Sequence, residues 1–316
     1  MPFSVRTTRV PRAPAHPKPL ISSTVHGTTT ATRGGKPVDL PDPHIHPDEL
    51  KPDGTPAYAK KRIIAPLYEG KGPELDDVAQ GFLDNCSYPA SIGAIFSLPG
   101  GADTLKKMVR PNADGTFTVS LFQRNDKMQH VPVQVKVDTD FYVHPDGSLL
   151  YGKNGPANRT KLLLFPLLEK AYARLNGGYG GVASENAAHA FQTLLGKDAT
   201  FDNIRSRGEK RVWETVTSVI ADKRPIVAGT SGTGKDIAVT DFAGKAMTVY
   251  SEHQYSIMGT GEVNGRKYIE LRNPWGKTDR SDNSATNGIF RLDLTTFKKV
   301  MVSLAYIDAP RVPVKK

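Results

Sequence analysis

Cysteine is almost absent from this chain of 316 residues, which contains a single one, Cys86. A lone cysteine excludes an intramolecular disulfide and any zinc site built from several thiolates. No run of 18 apolar residues occurs, so we expect no membrane-spanning helix. The first residues also lack a continuous apolar segment, so we expect no conventional secretory signal. The protein is therefore predicted to be cytoplasmic, or exported by a route that uses no signal peptide.

Acidic residues are missing from the first 38 residues, which carry six Lys and Arg and are rich in proline, serine, threonine and glycine. Such a composition cannot bury enough apolar surface to offset the loss of chain entropy. We therefore predict a disordered, basic, proline-rich region over residues 1–58. The net charge of +10 is assigned to solubility and to this region, because no nucleic-acid-binding module accompanies it.

The rest of the chain mixes helical and strand periodicity, which predicts an α+β protein. Residues 78–98 predict a helix whose first turn contains Cys86, with Asp84 or Asn85 as its cap. Further helices are predicted at 162–175, 185–195 and 212–222. Strands are predicted at 116–121, 131–137, 148–151, 225–229, 252–259, 267–272 and 288–293. The glycine-rich run 177–184 suggests domains over 59–180 and 181–311, followed by a basic tail at 312–316.

Residues 229–236, GTSGTGKD, nearly match a phosphate-binding loop. The last position of that motif needs Ser or Thr for magnesium, and here it is Asp236, whose charge would face the phosphates. The following residues do not predict a long helix. A glycine-rich turn between two strands explains the segment equally well.

The segment around Cys86, QGFLDNC (80–86), has the features of a nucleophile loop. A helix N-terminus lowers the pKa of a thiol because unpaired N–H groups and the helix dipole favour negative charge. The N–H of Cys86 would also point toward an oxyanion formed on a substrate. The side-chain amide of Gln80 is the candidate for a second oxyanion donor.

Two later fragments supply the other groups that a thiol nucleophile needs. His253, at the start of a predicted strand, could accept the cysteine proton and later donate it to a leaving amine. The side-chain oxygen of Asn273 could accept a hydrogen bond from the second ring nitrogen and so fix the histidine tautomer. Trp275, two residues further on, could shield that bond from water.

These fragments together resemble the core of the calpain-type cysteine peptidases. The family motifs Q-G-x-L-G-D-C-W, G-H-x-Y-S and R-N-P-W-G correspond to QGFLDNC (80–86), EHQYSIMG (252–259) and LRNPWG (271–276). Two further segments, DGSLLYGKNG (146–155) and LEKAYARLNGGYG (168–180), also resemble the family. The resemblance covers about residues 60–310.

The resemblance implies Cys86 as nucleophile, His253 as general base and acid, Asn273 as the orienting residue, Gln80 as an oxyanion donor and Trp275 as a cover over the His–Asn pair. It also implies a papain-like fold of two lobes with the cleft between them. The first lobe would be largely helical, and the second would be antiparallel and β-barrel-like.

The calcium sites that the resemblance implies are incomplete in this sequence. In that family, acids in both lobes hold calcium, which prefers six to eight oxygen ligands. Asp77, Asp279 and Asp282 match ligand positions, whereas Leu162 and Ile289 occupy positions where acids are expected. We therefore expect no required cofactor and a core that is at most weakly responsive to calcium. Residues 1–58 are then the candidate for a restraining pro-segment or a targeting arm.

The predicted activity is hydrolysis of peptide bonds in protein or peptide substrates through a thioester. Two alternatives stay open: transfer or deamidation chemistry on protein side chains with the same triad, and a catalytically silent binding module with a peptidase fold. No nucleic-acid partner is expected, and the oligomeric state is left open.

Overall fold

The computed structural model describes residues 40–153, 162–232, 234–279 and 287–310. The helices are α1 (Ser87–Phe96), α2 (Gly101–Met108), α3 (Leu164–Leu175), α4 (Ala187–Leu195), α5 (Glu209–Ala221) and α6 (Leu294–Val300). The strands are β1 (Ala59–Arg62), β2 (Val109–Pro111), β3 (Phe117–Arg124), β4 (His130–Val137), β5 (Asp140–Val143), β6 (Ala199–Asn203), β7 (Ile226–Thr230), β8 (Ile237–Thr240), β9 (Ala246–Val249), β10 (Gln254–Val263), β11 (Arg266–Arg272), β12 (Ile289–Asp293) and β13 (Met301–Ile307). None of the helices in these ranges combines the length and the apolar character that a bilayer crossing requires.

The largest sheet has six antiparallel strands in the order β12-β11-β10-β7-β13-β6. Its edge strands, β12 and β6, do not pair with each other in the described ranges, so the sheet is open. The expected β-barrel-like form is therefore wrong. The mixture of helices and antiparallel strands is confirmed.

Helices cover both faces of this sheet, which explains why it stays open. In β7, Ile226 and Ala228 belong to one apolar cluster while Val227, between them, belongs to the other. Successive strand residues point to opposite faces, so the two clusters lie on opposite sides of the sheet. Helices α1 and α4 pack on one side, and α5 and α6 contact the strands from the other. In a closed barrel, one face of the sheet would line the interior, and helices could not cover that face.

The region that precedes the large sheet contains more strand than the sequence predicts. Strands β2, β3 and β4 form one antiparallel sheet, and β1 pairs with β5. Helix α3 packs against β3 and β4. This region is therefore mixed, rather than largely helical as expected. Helix α4, which the sequence assigns to the second domain, packs with α1 in the first cluster.

Residues 40–58 contact the folded body, although the predicted disordered region runs to residue 58. The Ile45 side chain is buried in the first cluster, and the Asp42 carboxylate pairs with the buried Lys170 ammonium. Tyr151 Oη donates a hydrogen bond to the Glu49 carboxylate. Packed structure therefore begins by residue 40, and residues 1–39 lie outside the described part of the chain.

Candidate active site

Cys86 lies at the N-terminus of α1, as the sequence predicts, but Cys86 is itself the N-cap residue, so the predicted cap at Asp84 or Asn85 is wrong. The helix begins at Ser87, Cys86 already has helical dihedral angles, and its carbonyl accepts the hydrogen bond from Ala90 N. The thiol is buried, with Sγ 3.9 Å from the carbonyl oxygen of Glu252, and the N–H of Gln254 also faces the sulphur. The thiol therefore lies against the backbone on both sides of His253.

Burial raises the pKa of Cys86 to about 12, and the carboxylate of Asp84 adds to the rise. The N–H groups of Gln254, Ser87 and Cys86 itself act in the opposite direction, but burial outweighs them. Burial by itself therefore favours the neutral thiol. A protonated histidine beside it would favour the thiolate, because opposite charges stabilise each other.

His253 is held by its backbone as well as by its ring. Thr230 Oγ1 accepts a hydrogen bond from His253 N at 3.0 Å and donates to the Tyr250 carbonyl at 2.8 Å. The preceding residue, Glu252, has a φ of +50°, in the left-handed region that favours glycine. The turn before β10 is therefore strained, and it sets the direction of the Glu252 carbonyl that faces Cys86.

Asn273 orients the imidazole. His253 Nε2 lies 2.9 Å from Asn273 Oδ1, and both side chains are buried. Since Asn273 Oδ1 also accepts a hydrogen bond from Trp275 N at 3.1 Å, it acts as an acceptor, and Nε2 carries the proton. The backbone N–H of Asn273 donates to Gly288 O at 2.9 Å. The turn after β11 thus presents the asparagine oxygen to the ring.

Aromatic rings surround the histidine. Trp275 lies over it with ring centroids 4.7 Å apart, and Tyr255 meets it edge-on at 5.0 Å. Tyr250 contacts both His253 and Trp275. Trp275 therefore lies against the His253 ring together with Tyr250 and with Tyr255 of the EHQYS segment, and no role was predicted for either tyrosine.

Gln80 lies next to the Asn273 turn, but its side chain is turned toward its own loop. Gln80 N donates to Pro274 O at 2.8 Å, which joins the nucleophile loop to the NPWG turn. The side-chain Nε2 donates to Leu83 O at 2.8 Å, and Oε1 is buried with no hydrogen-bond partner. The role of Gln80 as an oxyanion donor stays a prediction.

Helix α1 and strand β10 cross closely, which brings the cysteine and the histidine together. Ser256 Oγ donates to Ala90 O at 2.7 Å. A Cβ on Gly93 would lie 2.4 Å from Ser256 Oγ, so only glycine permits this approach. The serine of the EHQYS segment therefore packs the helix that begins after Cys86 against the strand that follows His253.

The positions that suggested calcium or phosphate show other roles or lie outside the described ranges. Asp77 is buried, and its carboxylate accepts a hydrogen bond from Glu74 N at 2.8 Å, while Leu162 is a buried apolar residue. Asp279 is described, whereas Asp282 is not. Within the described ranges, no three His, Cys, Asp or Glu side chains form a metal-binding group.

The phosphate-loop resemblance at 229–236 is not followed by a helix. Strand β7 leads through this loop into strand β8. Asp236 accepts a hydrogen bond from Ser251 N at 3.0 Å, so it anchors the turn before His253. Phosphate-binding loops end at a helix N-terminus, and here that element is a strand.

A buried polar network next to Cys86 was not predicted as part of the site. Asn85, which directly precedes Cys86, donates to the carboxylate of Glu169, and Gly152 N donates to the same carboxylate. A signal was available in the sequence, because Glu169 interrupts the apolar helical run LFPLLEKAYARL at a core-facing position.

A cysteine at a helix N-terminus, next to a histidine that is oriented by an asparagine, is the kind of site that cysteine peptidases use. A family model described as calpain family cysteine protease matches residues 59–289. That match covers well over half of the chain, so the chain belongs to the calpain family of cysteine proteases.

The curated relatives are distant and much longer than this chain. It is 28% identical to human calpain-8 over 231 residues, which is 69% of this chain and 30% of that protein. It is 27% identical to the mouse calpain-2 catalytic subunit over 222 residues, 66% and 29% of the two chains. For the human calpain-1 catalytic subunit the identity is 27% over 252 residues, 73% and 32% of the chains. The matched segment thus spans about 30% of each relative.

Proposed function

We propose that this chain hydrolyses peptide bonds in protein substrates, with Cys86 as nucleophile, His253 as general base and acid, and Asn273 as the orienting residue. The observation that carries the proposal is the 2.9 Å contact between His253 Nε2 and Asn273 Oδ1 beside the Cys86 thiol. This hydrogen bond uses Nε2 of His253 to hold the ring in place, which leaves Nδ1 for proton exchange with the Cys86 thiol.

In the first half of the reaction, His253 Nδ1 accepts the proton of the Cys86 thiol. The sulphur then attacks the carbonyl carbon of the scissile peptide bond, and a C–S bond forms. The negative charge moves to the carbonyl oxygen. When the intermediate collapses, the C–N bond breaks, and His253 donates its proton to the leaving amine. The product is a thioester on Cys86.

In the second half, His253 accepts a proton from a water molecule, and the resulting hydroxide adds to the thioester carbon. The C–S bond breaks, the acid product leaves, and the proton returns to the Cys86 sulphur. The oxyanion of each step is assigned to the Cys86 N–H and to the Gln80 amide, whose NH₂ group retains a second N–H beside the one donated to Leu83 O.

Strong calcium dependence is not part of the proposal. The buried Leu162 offers no oxygen ligand, and the Asp77 carboxylate already accepts a hydrogen bond from its own turn. A hard cation needs several oxygen ligands at once. Activity in excess EDTA and in millimolar calcium should therefore agree within about twofold, and a tenfold activation by calcium would contradict this part.

The test compares the chain with Cys86→Ala on casein. We expect the substitution to lower cleavage by at least about 10³-fold, because loss of one member of a catalytic triad removes most of its effect. Mass spectrometry of the products separates cleavage from deamidation or amine transfer, which change side-chain masses and leave the backbone intact. Equal proteolysis by both forms, or only mass shifts, would overturn the proposal.

A further inference from the structure

Helix α3 carries two charged side chains into the core, and only one of them has a partner of opposite charge among the described residues. Lys170 Nζ donates to the Asp138 carboxylate at 2.6 Å and pairs with Asp42. The adjacent Glu169 is 1% exposed, and both of its oxygens are held by neutral donors. A buried carboxylate held by neutral groups alone is costly unless its hydrogen bonds are complete.

The two donors to Glu169 lie in different segments. Asn85 belongs to the nucleophile loop (80–86), and Gly152 belongs to the neighbouring segment 150–153. Asn85 Nδ2 donates to Oε1 at 2.7 Å, and Gly152 N donates to Oε2 at 2.5 Å. A Cβ on Gly152 would lie 2.6 Å from Oε2, so the carboxylate fills the space beside that glycine. This contact requires glycine at position 152.

The segment around Gly152 is itself bonded to the loop that leads to Cys86. Ala79 and Lys153 exchange hydrogen bonds of 2.8 and 3.0 Å, and Phe82 N donates to Leu150 O at 2.8 Å. At the other end of the loop, Asn85 O accepts the hydrogen bond from Tyr88 N in the first turn of α1. The Glu169 carboxylate thus joins both ends of the loop that holds the nucleophile.

We propose that Glu169 is a positioning residue for Cys86: its ionised carboxylate holds Asn85 and the 150–153 segment, and its protonation changes the placement of the nucleophile. The proposal deepens the proposed function and rests on it, since it concerns the reactivity of the same thiol. Glu169 itself does not touch the reacting atoms.

The Asn85 side chain can form a different hydrogen bond with Glu169 when Glu169 is protonated. Its Oδ1 is buried and has no hydrogen-bond partner in the described part of the chain, while its Nδ2 is used by Glu169. If Glu169 gains a proton, its O–H can donate to Oδ1 once the Asn85 amide rotates by half a turn. The hydrogen bond then runs in the opposite direction, and the link to Cys86 is rebuilt rather than simply lost.

Within the described ranges, the titratable groups that face Glu169 are phenols. They come from α1 (Tyr88), from the 3-10 helix Tyr179–Val182 (Tyr179), from the 150–153 segment (Tyr151) and from β5 (Tyr142). Burial raises the pKa of all four, so they stay neutral across the neutral range. Burial also raises the pKa of Glu169 to about 7. The change in hydrogen bonding therefore falls near neutral pH.

The test measures alkylation of Cys86 by iodoacetamide between pH 5 and 9, followed by mass spectrometry. Because Cys86 is the sole cysteine of the chain, all thiol labelling reports on it. The unmodified protein should show a rise in rate with a midpoint near pH 7. In Glu169→Gln this step should disappear, and the rate at pH 8 should fall about tenfold.

Glu185→Gln is the matched control, because Glu185 is a partly buried glutamate whose carboxylate bonds to Tyr172 and His189 and, within the ranges that the structure describes, makes no bond to Asn85 or Gly152. Glu185→Gln should keep both the rise in alkylation rate near pH 7 and the rate at pH 8 of the unmodified protein. Asn85→Ala should lose the step as Glu169→Gln does, and the double variant should be no worse than either single one. If Glu169→Gln does not fold, Asn85→Ala carries the test alone.

An unchanged pH profile in both Glu169→Gln and Asn85→Ala would overturn the positioning role while leaving the proposed function intact. If Cys86 of the unmodified protein instead reacts no faster than a free thiol at every pH and casein is not cleaved, the proposed function itself fails. The two failures are therefore distinguishable in one set of samples.

Discussion

On each side of the candidate active site, one buried charged side chain is hydrogen-bonded to neutral groups, and the two are held in opposite ways. On the nucleophile side, the Glu169 carboxylate accepts N–H groups from Asn85 and Gly152. On the histidine side, the guanidinium of Arg272, next to Asn273, donates to carbonyl oxygens, two of them Val78 O and Asn287 O.

The difference between these two groups lies in how they titrate. Burial lowers the pKa of Arg272 to about 10, with Asp76 acting in the opposite direction, so the guanidinium stays charged at neutral pH. Burial raises the pKa of Glu169 to about 7. The histidine side is therefore held by a permanent charge, whereas the nucleophile side can respond to pH.

On the histidine side, a large loss of stability is expected from Arg272→Met. It removes the donors to the Val78 and Asn287 carbonyls and leaves buried acceptors unpaired, so the free energy of unfolding should fall by about 3 kcal/mol. Urea unfolding followed by fluorescence measures the change. Arg291→Met is the matched control on the neighbouring strand, because its ion pair with Glu270 is exposed and should contribute less than about 1 kcal/mol. Equal losses for both variants would show that burial of Arg272 gives no special contribution.

An effect of similar size, spread over the range from about pH 4.5 to about pH 7, is expected from the titration of Glu169. Its pKa is raised in the folded protein from a usual value of 4.5 to about 7, so the folded state binds this proton more tightly than the unfolded state does. Stability should therefore fall as pH rises from about 4.5 to about 7, and then stay level. At 1.36 kcal/mol per pKa unit, the loss is roughly 3 kcal/mol.

Glu169→Gln tests this dependence, because the neutral amide cannot titrate. The difference in unfolding free energy between the two proteins, measured in urea at pH 5, 6, 7 and 8, should grow in favour of the variant as pH rises. Taking the difference cancels the other titrating groups. Parallel stability curves would contradict the raised pKa of Glu169.

The smallest effect is expected on the histidine side, at Glu252. Its φ of +50° disfavours any side chain with a Cβ, so Glu252→Gly should raise the free energy of unfolding by about 0.5–1 kcal/mol after the entropy cost of glycine is included. Thermal unfolding measures this gain. Asn264→Gly, in the turn after β10 with the same φ, is the control and should gain less, because asparagine tolerates this conformation. A loss of stability in Glu252→Gly would show that the Glu252 side chain stabilises the turn.

Elements with strong local patterns were predicted well. The helix after Cys86, the helix over 162–175 and the strands that became β7, β10, β11 and β12 were all indicated by periodicity and turn residues. The elements that were missed are α2, α6, β1, β2, β5, β6, β13 and the β8–β9 hairpin. These are short or border directly on another element, as α6 borders on β13, so no turn signal separates them.

The predicted strand at 148–151 was wrong for a related reason. Its residues make only isolated bridges, because Leu149 and Leu150 are buried by tertiary packing rather than by a paired strand. Apolar residues in a short run indicate burial, but they do not distinguish a strand from a packed loop.

The sequence by itself determined the identity of the groups near the site. Cysteine, histidine and asparagine follow each other in motifs whose local chemistry is readable, because a helix N-terminus, a turn and a tryptophan are encoded by neighbouring residues. The tertiary structure alone decided what surrounds them. The open sheet covered on both faces, the Ser256 contact across to α1 and the Glu169 carboxylate behind Asn85 all join residues far apart in the chain. Burial and hydrogen bonds between residues so far apart in the sequence depend on how the whole fold packs, and no local sequence pattern predicts them.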